Sequence, residues 1–185
     1  MVGGGVGAAL GLLPALRRRV LASVDFLRAV PAIALMPVAL LVLGPRPLTE
    51  LVLATYAATW PVLVSTLGGV VGVPDRLRDV AATLRLPPPS TLARVTIPAS
   101  VPTWLVGARV AAIVALHVTL IAEMVISPAG LGGGLVESLQ GLNPPRMWAY
   151  VVVCGVLGVA LQVALRRLVR VALPGGAFGP APGSP

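Results

Sequence analysis

A chain of 185 residues that is 57% hydrophobic and only 11% charged is not built like a water-soluble domain, in which about 25% of residues carry charge. Its mean hydropathy of +0.96 calls for a solvent that tolerates apolar surface, and the bilayer is that solvent. The net charge of +8 rests on arginine alone, and the arginines gather at the ends of apolar runs as topology determinants do, which points away from nucleic acid as a partner. The lone Cys154 excludes a disulfide framework within the chain, and a single histidine excludes a His-rich metal site.

Met1 to Leu16 is apolar and is followed by Arg17, Arg18 and Arg19. A secretory signal carries its charge before the apolar stretch, so this run reads as a short span whose arginines mark its cytoplasmic end. Its glycines suit close helix packing. Sixteen residues fall short of the roughly 20 a span needs, so the start is expected to be missing something. Val20 to Arg28 reads as an amphipathic connector, and Ala29 to Leu43 as a span bent by Pro31 and Pro37. Gly44 to Pro47 is a turn. Leu48 to Val73 is the next span, with Glu50 at its outer end and Pro61 inside it.

Pro74 to Ser100 is basic, with Arg76, Arg78, Arg85 and Arg94 against Asp75 and Asp79. A helix is expected from Pro74 through Leu86, stopped by Pro87, Pro88 and Pro89. Ser90 is the expected N-cap of a second short helix over Thr91 to Thr96, and Pro98 and Pro102 mark the bend into the next span. Thr103 to Ile126 is apolar but holds Arg109, His117 and Glu123. Ser127 to Arg146 reads as a polar loop with a short surface helix over Leu135 to Leu142. Met147 to Leu165 is the last span, closed by Arg166, Arg167 and Arg170. Residues 1–172 form the membrane domain. The Pro- and Gly-rich stretch 173–185 is expected to be a disordered tail.

The positive-inside rule places Arg17 to Arg19, the segment 74–98 and Arg166 to Arg170 on one side if there are five spans. The expected fold is therefore an all-α polytopic transmembrane helical bundle, with the N-terminus outside and short helices on the cytoplasmic face.

Catalytic patterns are lacking. Gly130-Leu131-Gly132-Gly133-Gly134 has no following Lys-Ser/Thr and follows no strand, so it fails as a phosphate-binding loop and reads as a flexible outer loop. Neither a Ser/His/Asp arrangement nor a metal-ligand spacing is present, which argues against an enzyme. Ionisable groups inside a span face protein or water. Arg109 is expected to snorkel towards the cytoplasmic end. It lies fourteen positions, or about 21 Å, from Glu123, too far to pair with it. His117 reads first as an interior residue, and His117 and Glu123 are kept as candidates for lining a solute pathway.

The basic segment resembles the signature of the permease subunits of bacterial ABC importers, the binding-protein-dependent transport family. That signature is Glu-Ala-Ala, a Gly four residues later, and an Ile/Leu-Pro pair about a dozen further on. Asp79, Val80 and Ala81 stand in the first three positions, Arg85 in the Gly position, and Ile97-Pro98 in the closing pair. The likeness extends from Gly3 to Val171, and the pieces Ala122-Glu123-Met124 and Gly130-Leu131-Gly132 are most similar to the nitrate, sulfonate and taurine branch. The resemblance implies two permease copies, a homodimer, around one pathway in a bacterial inner membrane. It implies coupling helices carrying Asp79, Val80, Ala81, Ala82, Arg85, Leu86, Ile97 and Pro98, docked on a separate ATPase subunit that hydrolyses ATP. It further implies a solute-binding protein outside, and no cofactor bound by the chain itself. Small Ala81 and Ala82 are expected to let the partner approach closely.

Three departures stand against this pattern. Arg85 replaces the Gly, Val80 is bulkier than Ala, and the family's further N-terminal span is expected upstream of where this chain starts. Two other readings stay open: an inactive or truncated paralogue, and a carrier driven by an ion gradient through Glu123, His117 and the proline-broken spans.

Overall fold

The computed structural model describes residues 2–12, 14–127 and 130–172. The expected tail, 173–185, lies outside the described residues. The helices, in order, are α1 (Val2–Leu12), α2 (Pro14–Ala29), α3 (Met36–Leu43), α4 (Pro47–Val71), α5 (Asp75–Thr83), α6 (Pro88–Thr91), α7 (Ile97–Ile126), α8 (Leu131–Gln140) and α9 (Pro144–Ala172). A 3-10 turn, Ala32–Leu35, precedes α3, and a π turn, Leu92–Thr96, joins α6 to α7.

Three of the five expected spans are helices long and apolar enough to cross a membrane: Pro47–Val71, Pro88–Ile126 and Pro144–Arg170. The expected second span is a broken pair, Arg19–Ala29 and Ala32–Leu43, bent by 77°. Proline explains the break. Val30 precedes Pro31 and is pushed out of helical geometry, and Pro31 itself is extended at φ −64° and ψ 128°. Pro37 costs nothing because it falls in the first turn of α3. The expected first span is a short apolar helix, Gly3–Leu12.

That short helix is held by its glycines. Gly3, Gly7 and Gly11 recur every four residues along one face of α1 and lie against Thr59, Leu63 and Val70 of α4. A Cβ added at Gly7 would stand 2.5 Å from the Leu63 carbonyl oxygen, and one at Gly11 would stand 2.7 Å from Val70 Cβ. The ascending order of these contacts makes α1 and α4 parallel. In lipid, where apolar burial drives little association between helices, close backbone approach is what joins them.

The α4–α7 pair forms the centre and runs antiparallel. At one end Gly69 lies against Ser100 and Thr103. In the middle Gly107 lies against Ser65 and the Pro61 carbonyl. At the other end Leu53, Ala54 and Ala57 share a cluster with Val118 and Ala122, joined by Met36 of α3. A second cluster, Leu10, Val24 and Leu63, ties α1 and α2 to α4. Arg109 of α7 meets Gln162 of α9, whereas Gly134 of α8 meets Tyr150 near the start of α9, so α9 runs antiparallel to α7. These directions bring the backbone of Arg17 to Arg19, the segment 74–98 and the end of α9 to the same end of the bundle, as the charge distribution requires.

Two local expectations change. Ser90 is not an N-cap: Pro87 is, and Pro88 and Pro89 fill the first turn of α6, where a missing N–H is harmless. From Pro88 the helix continues unbroken to Ile126, through Pro98 and Pro102. The π turn Leu92–Thr96 carries one extra residue per turn just before Pro98, and so relieves the carbonyl that a proline would otherwise clash with. The second change is at α8, which begins earlier than expected and packs one face inward. It starts at Leu131, and its Gly132, Gly133, Gly134 and Ser138 are buried.

Candidate functional site

α5 begins after Pro74, whose φ of −56° and ψ of 137° set it just outside the helix. Asp75 follows in the first turn, where its charge suits the positive end of the helix dipole. The helix ends in a Schellman turn. The Leu86 amide donates to the Ala81 carbonyl at 3.0 Å and the Arg85 amide to the Ala82 carbonyl at 2.9 Å. Arg85 occupies the left-handed position at φ 48°, which costs a residue with a Cβ roughly 1–2 kcal/mol relative to glycine. The turn is thus built as a glycine turn, with arginine in the glycine's place.

Ala81 is 3% exposed and packs inward. Leu77, Val80 and Leu84, at i, i+3 and i+7, are 41, 55 and 64% exposed; Leu77 and Leu84 flank Ala81, so this apolar stripe borders the buried contact and stays open along its edge. Arg76, Arg78, Asp79, Ala82 and Arg85 are exposed beside it.

Arg78 ties this helix to a membrane span. Its Nη2 donates to the Val70 and Val71 carbonyls at 3.4 and 3.3 Å, and its Nη1 lies 3.6 Å from Asp75 Oδ1. The carbonyls at the end of α4 have no partners within their own helix, and a guanidinium fork suits them. Val73, in the link between the helices, is buried. On the other side Thr91 Oγ1 bonds the Leu86 carbonyl at 3.4 Å, so the connection into α6 and α7 is also short and pinned. Ile97 and Pro98 are exposed in the first turn of α7.

At the far end of α7, Glu123 Oε2 accepts a hydrogen bond from the Gly132 amide at 3.0 Å. This carboxylate serves one of the free N–H groups in the first turn of α8. Gly130 and Gly132 are required there, because a Cβ would collide with the Glu123 carboxyl at the first and with the Leu120 carbonyl at the second. Ser138 Oγ bonds the Gly134 carbonyl at 2.7 Å, so its buried hydroxyl is satisfied within α8. Glu50, at the same end of α4, has Oε1 shielded and without a hydrogen-bond partner among the described residues.

The middle of α7 is polar on two sides. Arg109 Nη2 donates to Gln162 Oε1 of α9 at 3.3 Å. His117 is exposed, not interior, and shares a face with exposed Val106, Val110 and Ile121.

The description "Binding-protein-dependent transport system inner membrane component" matches residues 1–174. The chain belongs to this family of ABC transport permeases. It is 27% identical over 174 residues to SsuC of Bacillus subtilis, a permease protein assigned to aliphatic sulfonate transport, covering 92% of this chain and 63% of that one. It is 28% identical over 162 residues to CmpB of Synechococcus elongatus, a bicarbonate transport system permease protein, covering 85% and 58%. The chain therefore spans about three fifths of the length of these relatives. Its fold matches a chain of the MetNI methionine ABC transporter in an inward-facing conformation, with a TM-score of 0.69, 19% identity, and 92% and 89% coverage. The permease is a multi-pass inner-membrane component.

Within this permease the signature positions fall in three places. Asp79, Val80 and Ala82 face outward on α5, while Ala81 is turned into the chain's own packing. Its small size lets α5 sit close on that packing. Arg85 and Leu86 form the Schellman turn, and Ile97-Pro98 opens α7. The two pathway candidates part company: His117 is on the open face of α7, and Glu123 is spent on α8. Arg78 and Gln162 were missed as working residues. Gln162 is the lone side-chain amide in the last apolar run, which was a readable signal. Arg78 looked like any other topology arginine, because nothing in the sequence shows which carbonyls it meets.

Proposed function

We propose that the chain is the pathway-forming permease of an ABC importer, with two copies enclosing one route and a separate ATPase supplying the work. The observation that carries this reading is α5: an exposed Leu77-Val80-Leu84 stripe on a short helix whose Arg78 grips the end of α4. An apolar stripe at i, i+3 and i+7 is what a groove on a partner takes up. A rigid link then passes the partner's movement to the span. ATP is hydrolysed by the partner: Gly130 to Gly134 begins a helix here, and the Gly132 amide is already bonded to Glu123.

The solute is a small oxyanion delivered by a solute-binding protein outside, such as a sulfonate, taurine, nitrate or bicarbonate. The names of SsuC and CmpB support that class. His117, on the open face of α7, lines the route between two copies, since an ionisable group at that depth needs water or protein rather than lipid. The bound state of Glu123 weakens the ion-gradient reading, which needs that acid free. The test is association of the purified permease with its ATPase in nanodiscs. The unaltered chain binds, and Leu84→Asp, which puts a charge in the stripe, does not. Equal binding by the two would end this reading.

A further inference from the structure

Arg85 holds a place that asks nothing of a guanidinium. The left-handed turn at φ 48° is a glycine's conformation, and the backbone bonds that close it need no side chain. A strained residue persists where something else requires its side chain. The helix dipole is not that requirement, because a cation in the last turn, at Thr83 or Leu84, would meet it without left-handed backbone. An internal ion pair is not it either: among the described residues the ion pairs are Arg28–Asp25, Arg78–Asp75 and Arg146–Glu137. Arg85 is exposed and directly follows Leu84, the last and most exposed residue of the α5 stripe. It therefore stands where an interface passes from apolar centre to polar rim.

We infer that Arg85 is a charge-selecting contact to a carboxylate on the rim of the ATPase groove that takes α5, an inference that rests on the coupling role proposed above. A carboxylate presents two oxygens that the guanidinium fork can bind together, and this geometry rewards a guanidinium aimed by a fixed turn. Anionic lipid would not. Headgroups are mobile, and a long arginine reaches them from any backbone position near the surface. Rim charges chiefly set partner choice and association rate, so Arg85 distinguishes the permease's own ATPase from others with a similar groove.

The test uses the full-length permease in nanodiscs with its ATPase, comparing Arg85→Gly, Arg85→Lys and Arg85→Glu. Arg85→Gly relieves the turn, so its thermal stability rises while ATPase affinity falls about fivefold, the size of effect an interfacial ion pair gives. Arg85→Glu weakens binding further, and replacing the facing acid on the ATPase with arginine restores it. Arg85→Lys keeps the charge without the fork and falls between. Unchanged affinity in Arg85→Gly, with the unaltered chain binding normally, overturns the assignment and leaves the coupling role standing. Loss of binding to phosphatidylglycerol vesicles without loss of ATPase affinity also overturns it, in favour of lipid. Failure of the unaltered chain to bind the ATPase removes both.

Discussion

Glu123 and the Gly132 amide, 3.0 Å apart, fix the corner at which α8 turns back between α7 and α9. Removing the carboxylate takes the acceptor from this backbone donor in the first turn of α8. Glu123→Ala is expected to cost about 1–3 kcal/mol. Glu123→Gln keeps an acceptor oxygen and should lose less. Unfolding in mixed detergent micelles measures both. Solute uptake by Glu123→Gln should survive, whereas a proton-driven carrier would lose it.

The glycines of α1 separate structural need from helix propensity within eleven residues. Gly7 has the Leu63 carbonyl 2.5 Å from where a Cβ would sit, but Gly5 has nothing within 4 Å. Gly7→Ala should push α1 off α4 and destabilise by about 1–3 kcal/mol. Gly5→Ala should stabilise by up to about 1 kcal/mol, since alanine is the better helix former. Thermal denaturation of the two variants in one detergent checks the contrast. Equal effects would mean that α1 does not pack on α4 through this face.

The membrane class and the positions of α4, α7 and α9 were legible because long apolar runs and the arginines that end them are one-dimensional signals. So was the use of the α1 glycines. What could not be read was how polar residues separated in sequence find each other. Arg109 reaches an amide 53 positions away, and Glu123 meets the amide of a segment that looks like a loop. At Pro98 the helix runs on unbroken, because a π turn upstream absorbs the clash that proline normally brings, and that turn has no signal in the sequence. The signature motif located α5, but its burial pattern set Ala81 inward and Val80 outward, and only packing decides that.

Arg109 and Gln162 hold α7 to α9 within the apolar region. Gln162→Leu leaves the guanidinium without its acceptor, and Arg109→Leu leaves the amide without its donor. Each single change should destabilise by roughly 1–2 kcal/mol. The double change should cost less than the sum by about 0.6 kcal/mol, a typical coupling between side chains in a membrane bundle. A double-mutant cycle on detergent unfolding gives the coupling directly. Strict additivity would show that the two side chains do not interact.

Under the proposed coupling role, Arg78 separates docking from transmission. Its guanidinium is bonded to the Val70 and Val71 carbonyls, so Arg78→Ala leaves Leu77, Val80 and Leu84, the proposed docking residues, unaltered. What it removes is the clamp between α5 and α4. Both bonds are long, and together they contribute about 1 kcal/mol, enough to let α5 tilt without carrying the span. ATPase binding should therefore persist while uptake coupled to ATP hydrolysis falls roughly three- to tenfold. Arg78→Lys can reach one carbonyl but not both, and should recover part of the loss. Proteoliposomes that report hydrolysis and uptake together make the distinction. A parallel fall in binding would place Arg78 in the docking surface, and unchanged coupling would show that the link through Val73 alone is stiff enough.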